Sequence, residues 1–304
     1  MMKTRLFFRT LAVLLIGGMA TSVNAQGVIV HKKGGQTIKV PYEELDSIST
    51  YDYDDEPDVP TPGPEDTKTY TVNGVSFTMI AVGGGTFTMG ATPEQTGYSS
   101  NELPTHQVTL DSYSIGETEV TQELWQAVMG YKPTSDDSQW SSTYGLGAQY
   151  PAYYISWDDC QSFITKLNSL TGEKFRMPTE AEWEYAARGG NKSQKYLYSG
   201  SNTIGDVAWY TTNSNEKTHE VKTKSPNELG IYDMSGNVWE WCSDWYGSYS
   251  SNAQTNPTGA TSGFYRVYRG GSWYNNASYC RVAYRNNSCI PSYRYNILGL
   301  RLVQ

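Results

Sequence analysis

Apolar residues spaced three and four apart occur at three places along the chain; elsewhere they come in short alternating runs between stretches rich in Gly, Asn and Ser. The spacing predicts a first helix from Thr121 through Leu124, Trp125 and Val128 to Gly130. A second is predicted from Ser156, with Asp159 as its capping partner, to Gly172, and it carries Cys160, Phe163, Ile164 and Leu167 on one face. A third opens at Pro178-Thr179, with Glu182 completing a capping box, and runs through Trp183 to Ala187 before Gly189-Gly190. The remainder holds too little regular structure for a parallel α/β sandwich. The expected fold class is α+β, irregular and loop-rich, with few short helices.

The first 69 residues read differently. Lys3, Arg5 and Arg9 flank the apolar run Leu11 to Ile16, which leads to Val23-Asn24-Ala25, the pattern of a secretory signal peptide over residues 1–25. That run falls short of the ~20 apolar residues of a transmembrane helix, and no later stretch approaches them, so no transmembrane anchor is expected. The expected location is secreted: periplasmic, extracellular or at the cell surface. No cysteine precedes Cys160, which leaves the leader without a thiol for lipid attachment. Residues 26–51 read as a short β module, with strand-like runs at Val28 and Val30 and at Thr37, Ile38 and Val40 around Lys33-Gly34-Gly35. Residues 52–69, acidic and carrying Pro57, Pro60, Pro62 and Pro64, read as a stiff linker, and residues 70–304 as one domain.

Charge narrows the partners. Without Lys3, Arg5 and Arg9, 20 Lys and Arg face 31 Asp and Glu, a balance of −11, which disfavours nucleic acid. The 25 tyrosines and 9 tryptophans suit surfaces that are half apolar and half wet, or simply fill the core of a loop-rich domain. Cys160, Cys242, Cys280 and Cys289 allow two disulfides, one or none. His31, His106 and His219 stand far apart in sequence, and neither a Gly-x-Ser-x-Gly element nor a phosphate loop is present. Asp233 and Glu240 flank Gly236, a spacing that offers carboxylate and carbonyl oxygens to a hard cation such as calcium.

Several long runs carry a resemblance. They are Phe87-Thr88-Met89-Gly90, Glu102-Leu103-Pro104-Thr105-His106, Glu119-Val120-Thr121, and Arg176-Met177-Pro178-Thr179-Glu180-Ala181-Glu182-Trp183-Glu184-Tyr185. They continue with Gly230-Ile231-Tyr232-Asp233-Met234-Ser235-Gly236-Asn237-Val238-Trp239-Glu240-Trp241, Arg269-Gly270-Gly271-Ser272-Trp273 and Gly299-Leu300-Arg301-Leu302-Val303. In this order they resemble the formylglycine-generating enzyme (sulfatase-modifying factor) family. The resemblance implies that family's C-type-lectin-related fold and structural calcium at Asp233, Gly236, Val238 and Glu240, with Asp where Asn is usual. The family's oxidases hold copper on two cysteines after Gly-Gly-Ser. Here the first position is Asn275 and the second Cys280, and an amide cannot stand in for a soft thiolate. Cys280 is therefore the remaining catalytic candidate, with copper implied only if the chain is an oxidase.

Between Tyr274 and Asn296 the composition turns to Tyr, Asn and Ser, broken by Ala277, Arg281, Val282, Ala283, Arg285, Pro291 and Arg294. Tyr, Ser, Ile and Cys are all reachable from the Asn codon AAC by changes at adenine, a pattern resembling proteins diversified by retroelements. Tyrosine brings contact area at low rotamer cost, and Asn and Ser bring adaptable hydrogen bonds. The expected ligand-binding residues are Tyr274, Asn275, Asn276, Tyr279, Tyr284, Asn286, Asn287, Ile290, Tyr293 and Tyr295. Three functions follow: a secreted binding protein for a protein or glycan ligand, a formylglycine-generating oxidase or relative with altered chemistry, and a structural component of the cell envelope.

Overall fold

A computed structural model describes residues 67–133 and 139–304, apart from the side chain of Asn287, and the backbone of four strands before them. The chain divides into a unit of residues 1–58 and one of 59–304. In the first, β1 (Val13–Ile16), β2 (Met19–Asn24), β3 (Gly27–His31) and β4 (Thr37–Pro41) pair antiparallel in sequence order. Val28 lies opposite Val40 and Val30 opposite Ile38, joining the two runs read as strands. β1 and β2 fall within the stretch read as a leader. Residues 1–12 of that leader, the Lys33-Gly34-Gly35 connection and linker residues 52–66 lie outside the described residues.

The first described element of the second unit is β5 (Thr67–Val72), whose first three residues fall in the stretch 52–69 read as linker. β5 pairs with β6 (Val75–Val82), and β6 with β9 (Tyr113–Gly116). A second sheet joins β7 (Gly85–Met89), β8 (His106–Leu110) and β11 (Gln254–Thr255). In the third, β10 (Trp239–Trp245) lies between β12 (Arg266–Arg269) and β14 (Leu298–Gly299), and β13 (Arg285–Cys289) adds an edge. The order β13-β12-β10-β14 places the Trp239-Glu240-Trp241 run at the centre, directly beside the strands that bound the Tyr/Asn-rich segment.

Three helices lie where the spacing put them, for the capping reasons given. α1 (Gln122–Met129) starts at Thr121, whose hydroxyl accepts Leu124 N–H, and ends at a left-handed Gly130. α2 (Trp157–Thr171) carries the Ser156–Asp159 capping box and stops at Gly172 (φ 75°). α3 (Glu180–Ala187) has Thr179 and Glu182 as its box and is buried on every side, so it has no single apolar stripe. A single-turn α4 (Ile204–Val207) has no such sequence signal. Mixed sheets with few short helices make the domain α+β, and its long loops are held by side chains.

Trp125 stacks on Phe163 at 5.0 Å and ties α1 to α2, while Trp183 on α3 donates to Glu240 Oε2 on β10 at 2.7 Å. Buried guanidinium–carboxylate pairs close the long loops: Arg281 holds Glu102 at 2.8 and 2.6 Å, Arg285 holds Glu180 at 2.8 and 2.5 Å, and Arg269 holds Glu184. The first two pairs fix geometry through two bonds each, and Arg269 adds bonds to the Ala283 and Val282 carbonyls. The C-terminal residues are sewn into the domain. Val303 exchanges backbone bonds with Arg176 (2.7 and 2.8 Å) and Gln304 with Ser114 (3.0 and 2.9 Å). All four cysteines are buried and free, so none forms a disulfide.

Candidate functional site

A cavity of about 280 Å³ opens beside β10 and β13. Trp239, Tyr268, Ile297 and Leu298 form its apolar wall, and Tyr274, Asn275, Asn286, Tyr293 and Tyr295 line the rest. Asn275 is held from two sides: Trp239 Nε1 donates to its Oδ1 at 2.8 Å and Ser272 Oγ at 2.5 Å. With Oδ1 so occupied, the amide nitrogen is the hydrogen-bonding capacity it has left to offer a ligand. Tyr293 and Tyr295 pair with ring centroids 5.9 Å apart, and Tyr274 packs edge-on against Trp273. Tyr274 is 64% exposed and Ile290 48%, at positions where an ordinary core would bury them.

The other expected contact residues sit differently. Tyr279 and Tyr284 are half-buried, pack against each other with tilted rings 4.8 Å apart, and lean on the core, the ring of Tyr284 lying 6.0 Å from that of Trp239. Asn276 is exposed at the start of the turn Ala277–Cys280, where its carbonyl accepts Tyr279 N–H at 3.0 Å. Asn287 is on β13, its side chain outside the description. Of the framework residues among them, Arg281, Val282, Ala283 and Arg285 are buried, and Arg294, at the surface, clasps Asp159 at 2.6 and 2.7 Å. The segment thus alternates anchored positions with positions open to solvent or to the cavity.

Cys280 does not line this cavity. Its thiol is fully buried with Tyr198 and Val207, beneath Gly271, where a Cβ would stand 2.6 Å from the sulfur. Burial pushes the thiol up to about 12, so without a metal it stays protonated at neutral pH. Cys289 does line the cavity, but burial raises its thiol too. The residues present do not fit a two-thiolate copper centre, since Asn275 is a neutral amide locked by Trp239 and Ser272.

The loop 233–240 meets the calcium expectation only in part. Asp233 (φ 60°), Gly236 (φ 83°) and Asn237 (φ 56°) are left-handed, and a Cβ on Gly236 would fall 2.3 Å from Trp209 O. Asp233 Oδ2 accepts Lys222 N–H at 2.9 Å, while its Oδ1 is buried without a partner. Among the described residues no backbone N–H donates to the carbonyls of Gly236 or Val238. Glu240, by contrast, is committed: Arg301 and Trp183 occupy both its oxygens at 2.7 to 3.0 Å. A second carboxylate comes from Glu119, buried and held only by long contacts of 3.4 Å to Val238 N and Asn237 Nδ2. Burial, then the charge of Asp233, hold Glu119 well above the usual carboxylate range. Three buried carboxylates against one guanidinium leave negative charge uncompensated, and with unbonded oxygens this fits a hard cation. Among the described residues no three His, Cys, Asp or Glu side chains converge as ligands, so backbone carbonyls would have to complete the shell. Sequence reasoning missed Glu119 because Glu119-Val120-Thr121 lies far from the loop in the chain.

The sulfatase-modifying factor enzyme 1-like domain model matches residues 65–304, and the chain belongs to that family. The chain is 31% identical over 253 residues to the chaperone protein LppX of Paenibacillus barcinonensis, covering 69% of this chain and 83% of that protein. It is 36% identical over 170 residues to the formylglycine-generating enzyme of Streptomyces coelicolor, covering 50% of this chain and 52% of that enzyme. Among solved structures, Treponema denticola variable protein 1 matches with a TM-score of 0.69 and 36% identity, over 78% of this chain and 98% of that one. PvdO from Pseudomonas aeruginosa matches with a TM-score of 0.62 and 26% identity, over 74% of this chain and 93% of that one. No helix among the described residues is long and apolar enough to cross a membrane.

Proposed function

We propose that this domain is a secreted ligand-binding protein whose contact surface is the segment 274–296. The observation that carries the reading is the division of labour within that segment: Arg281, Val282, Ala283, Arg285 and Arg294 are buried or ion-paired, while Tyr274, Tyr293 and Tyr295 are exposed around a cavity and Ile290 is exposed beside β13. Side chains of the second group can change without disturbing the first. The likeness to a protein called variable supports the same reading. The oxidase alternative is disfavoured by a sequestered Cys280 and by Asn275 at the other copper position. The ligand is a protein or glycan surface. Calcium would be structural, held by Asp233, Glu119 and the Gly236 and Val238 carbonyls, and would neutralise their charge.

Sequencing the 3′ end of the coding region and its flanks in several isolates tests this. The expected result is a nearby near-copy beside a reverse transcriptase, with differences confined to codons such as those of Tyr274, Asn275, Tyr293 and Tyr295. Absence of any repeat, with those codons invariant, would overturn diversification of the face.

A further inference from the structure

A second cavity, of about 440 Å³, opens at the first turn of α3, away from the residues of the 274–296 face except Arg285. His106, Glu180, Asp244, Tyr249 and Arg285 supply its chemistry. Most of this is already paired. Arg285 neutralises Glu180, Tyr249 donates to Glu180 Oε1 at 3.2 Å, and His106 Nδ1 lies 3.2 Å from Pro104 O.

Asp244 is the exception. Its Oδ2 accepts Glu180 N–H at 3.0 Å and Ser243 Oγ at 3.1 Å, while no hydrogen bond among the described residues is made to its Oδ1; the side chain lines the cavity, so this oxygen is left for a ligand or for solvent. No Lys or Arg among them forms an ion pair with it. The guanidinium of Arg266 lies instead between the rings of Trp157 and Trp245, at 3.8 and 3.4 Å, and donates to Ser243 O. Gly259 (φ 77°) packs against this side chain, where a Cβ would stand 2.7 Å from both the Cβ and the Oδ1 of Asp244, so a larger residue would crowd the carboxylate.

We propose that this cavity binds an organic ammonium group, with Asp244 as its counter-ion. One free carboxylate oxygen suits a compact ammonium; a guanidinium fork needs both oxygens, and Oδ2 is spent on α3. A metal ion is disfavoured because Glu180, the other carboxylate lining the cavity, has both oxygens held by Arg285. Burial first, then the charges of Glu180 and Glu182, push the Asp244 carboxyl up to about 7, the condition a bound cation reverses. The ammonium can belong to a free amine or to a lysine of a partner protein, and the two give different test results.

The test is a backbone-amide NMR titration of the full chain at pH 8 with cadaverine, with Nα-acetyl-lysine amide, and with butylguanidinium as control. Saturable shifts at Asp244, Tyr249 and Gly259 are expected, with Kd on the order of 1–10 mM for at least one amine. Tighter cadaverine binding marks a free amine, and tighter lysine-amide binding a partner side chain. Affinity should fall about tenfold from pH 8 to pH 6 as Asp244 takes up its proton. Asp244→Asn keeps an acceptor for Glu180 N–H, so α3 stays capped, and it should lose binding at least tenfold together with the pH dependence. No saturable shift with either amine, equal binding of butylguanidinium, or unchanged affinity in Asp244→Asn would each overturn the proposal.

Discussion

Replacing Arg281 by Met keeps much of the aliphatic stem and removes the guanidinium that holds Glu102 by two bonds of 2.8 and 2.6 Å. Side-chain exposure is 2% for Arg281 and 0% for Glu102, so water cannot take the vacated place, and Glu102 would be left as a buried, unpaired carboxylate. Breaking such a pair from one side costs about 3–5 kcal/mol. For a domain of this size, at roughly 2–4 °C per kcal/mol, the midpoint of thermal unfolding should drop by roughly 6–20 °C. Circular dichroism during a thermal scan measures it. Adding Glu102→Gln removes the orphaned charge and keeps an acceptor for Ser99 N–H, now 2.9 Å from Glu102 Oε1, so the double variant should regain most of the loss. The reasoning fails if Arg281→Met unfolds within about 1 kcal/mol of the parent, or if the double variant is no more stable than the single one.

Tyr274→Ala and Tyr293→Ala, at exposed positions, should change stability by no more than about 0.5 kcal/mol, whereas Trp239→Ala, fully buried, should cost about 3–5 kcal/mol by denaturant titration. Calcium should raise the unfolding midpoint, a chelator should reverse the rise, and Asp233→Ala should abolish it; equal midpoints with and without calcium would refute the site. The Asp244 carboxyl, raised to about 7 by burial and by Glu180, has the sign of an acid more easily protonated folded than unfolded. Its contribution is full below about pH 4 and declines as pH rises through 7, so Asp244→Asn should flatten that part of the stability–pH curve. Copper(I) should bind the parent and Cys280→Ser alike, because the thiol is sealed by packing against Tyr198, Val207 and Gly271.

The helices were legible because their signals are local: Thr121, Ser156 and Thr179 cap, Gly130 and Gly172 stop. The family motifs gave the fold class for the same reason, as unbroken runs. What the sequence did not reveal is long-range. Glu119 meets Asp233 across more than a hundred residues, and Glu240 proves to belong to Arg301 rather than to an open loop. Nothing in the spacing marks either, since two carboxylates of the same motif read alike until their partners are placed. The Tyr/Asn-rich face was legible as composition, but the split of its tyrosines was not: Tyr279 and Tyr284 lean on the core while Tyr293 and Tyr295 flank the cavity. Asp244 drew no notice, because a carboxylate following Trp241-Cys242-Ser243 has no signature until Glu180 N–H is found beside it.

The backbone bonds that pair Val303 with Arg176 and Gln304 with Ser114 have a consequence for synthesis. A ribosome delivers Ser114 and Arg176 long before the residues that complete their pairing, and Arg281 and Arg285 likewise arrive well after Glu102 and Glu180. Until residues 281–304 are made, Glu102 and Glu180 lack their guanidiniums and the backbone at Ser114 and Arg176 lacks its partners, and unpaired strand edges of that kind invite aggregation. The domain therefore closes only when residues near 281–304 join partners at 102, 114, 176 and 180, and the Tyr/Asn-rich segment lies within the stretch that closes it.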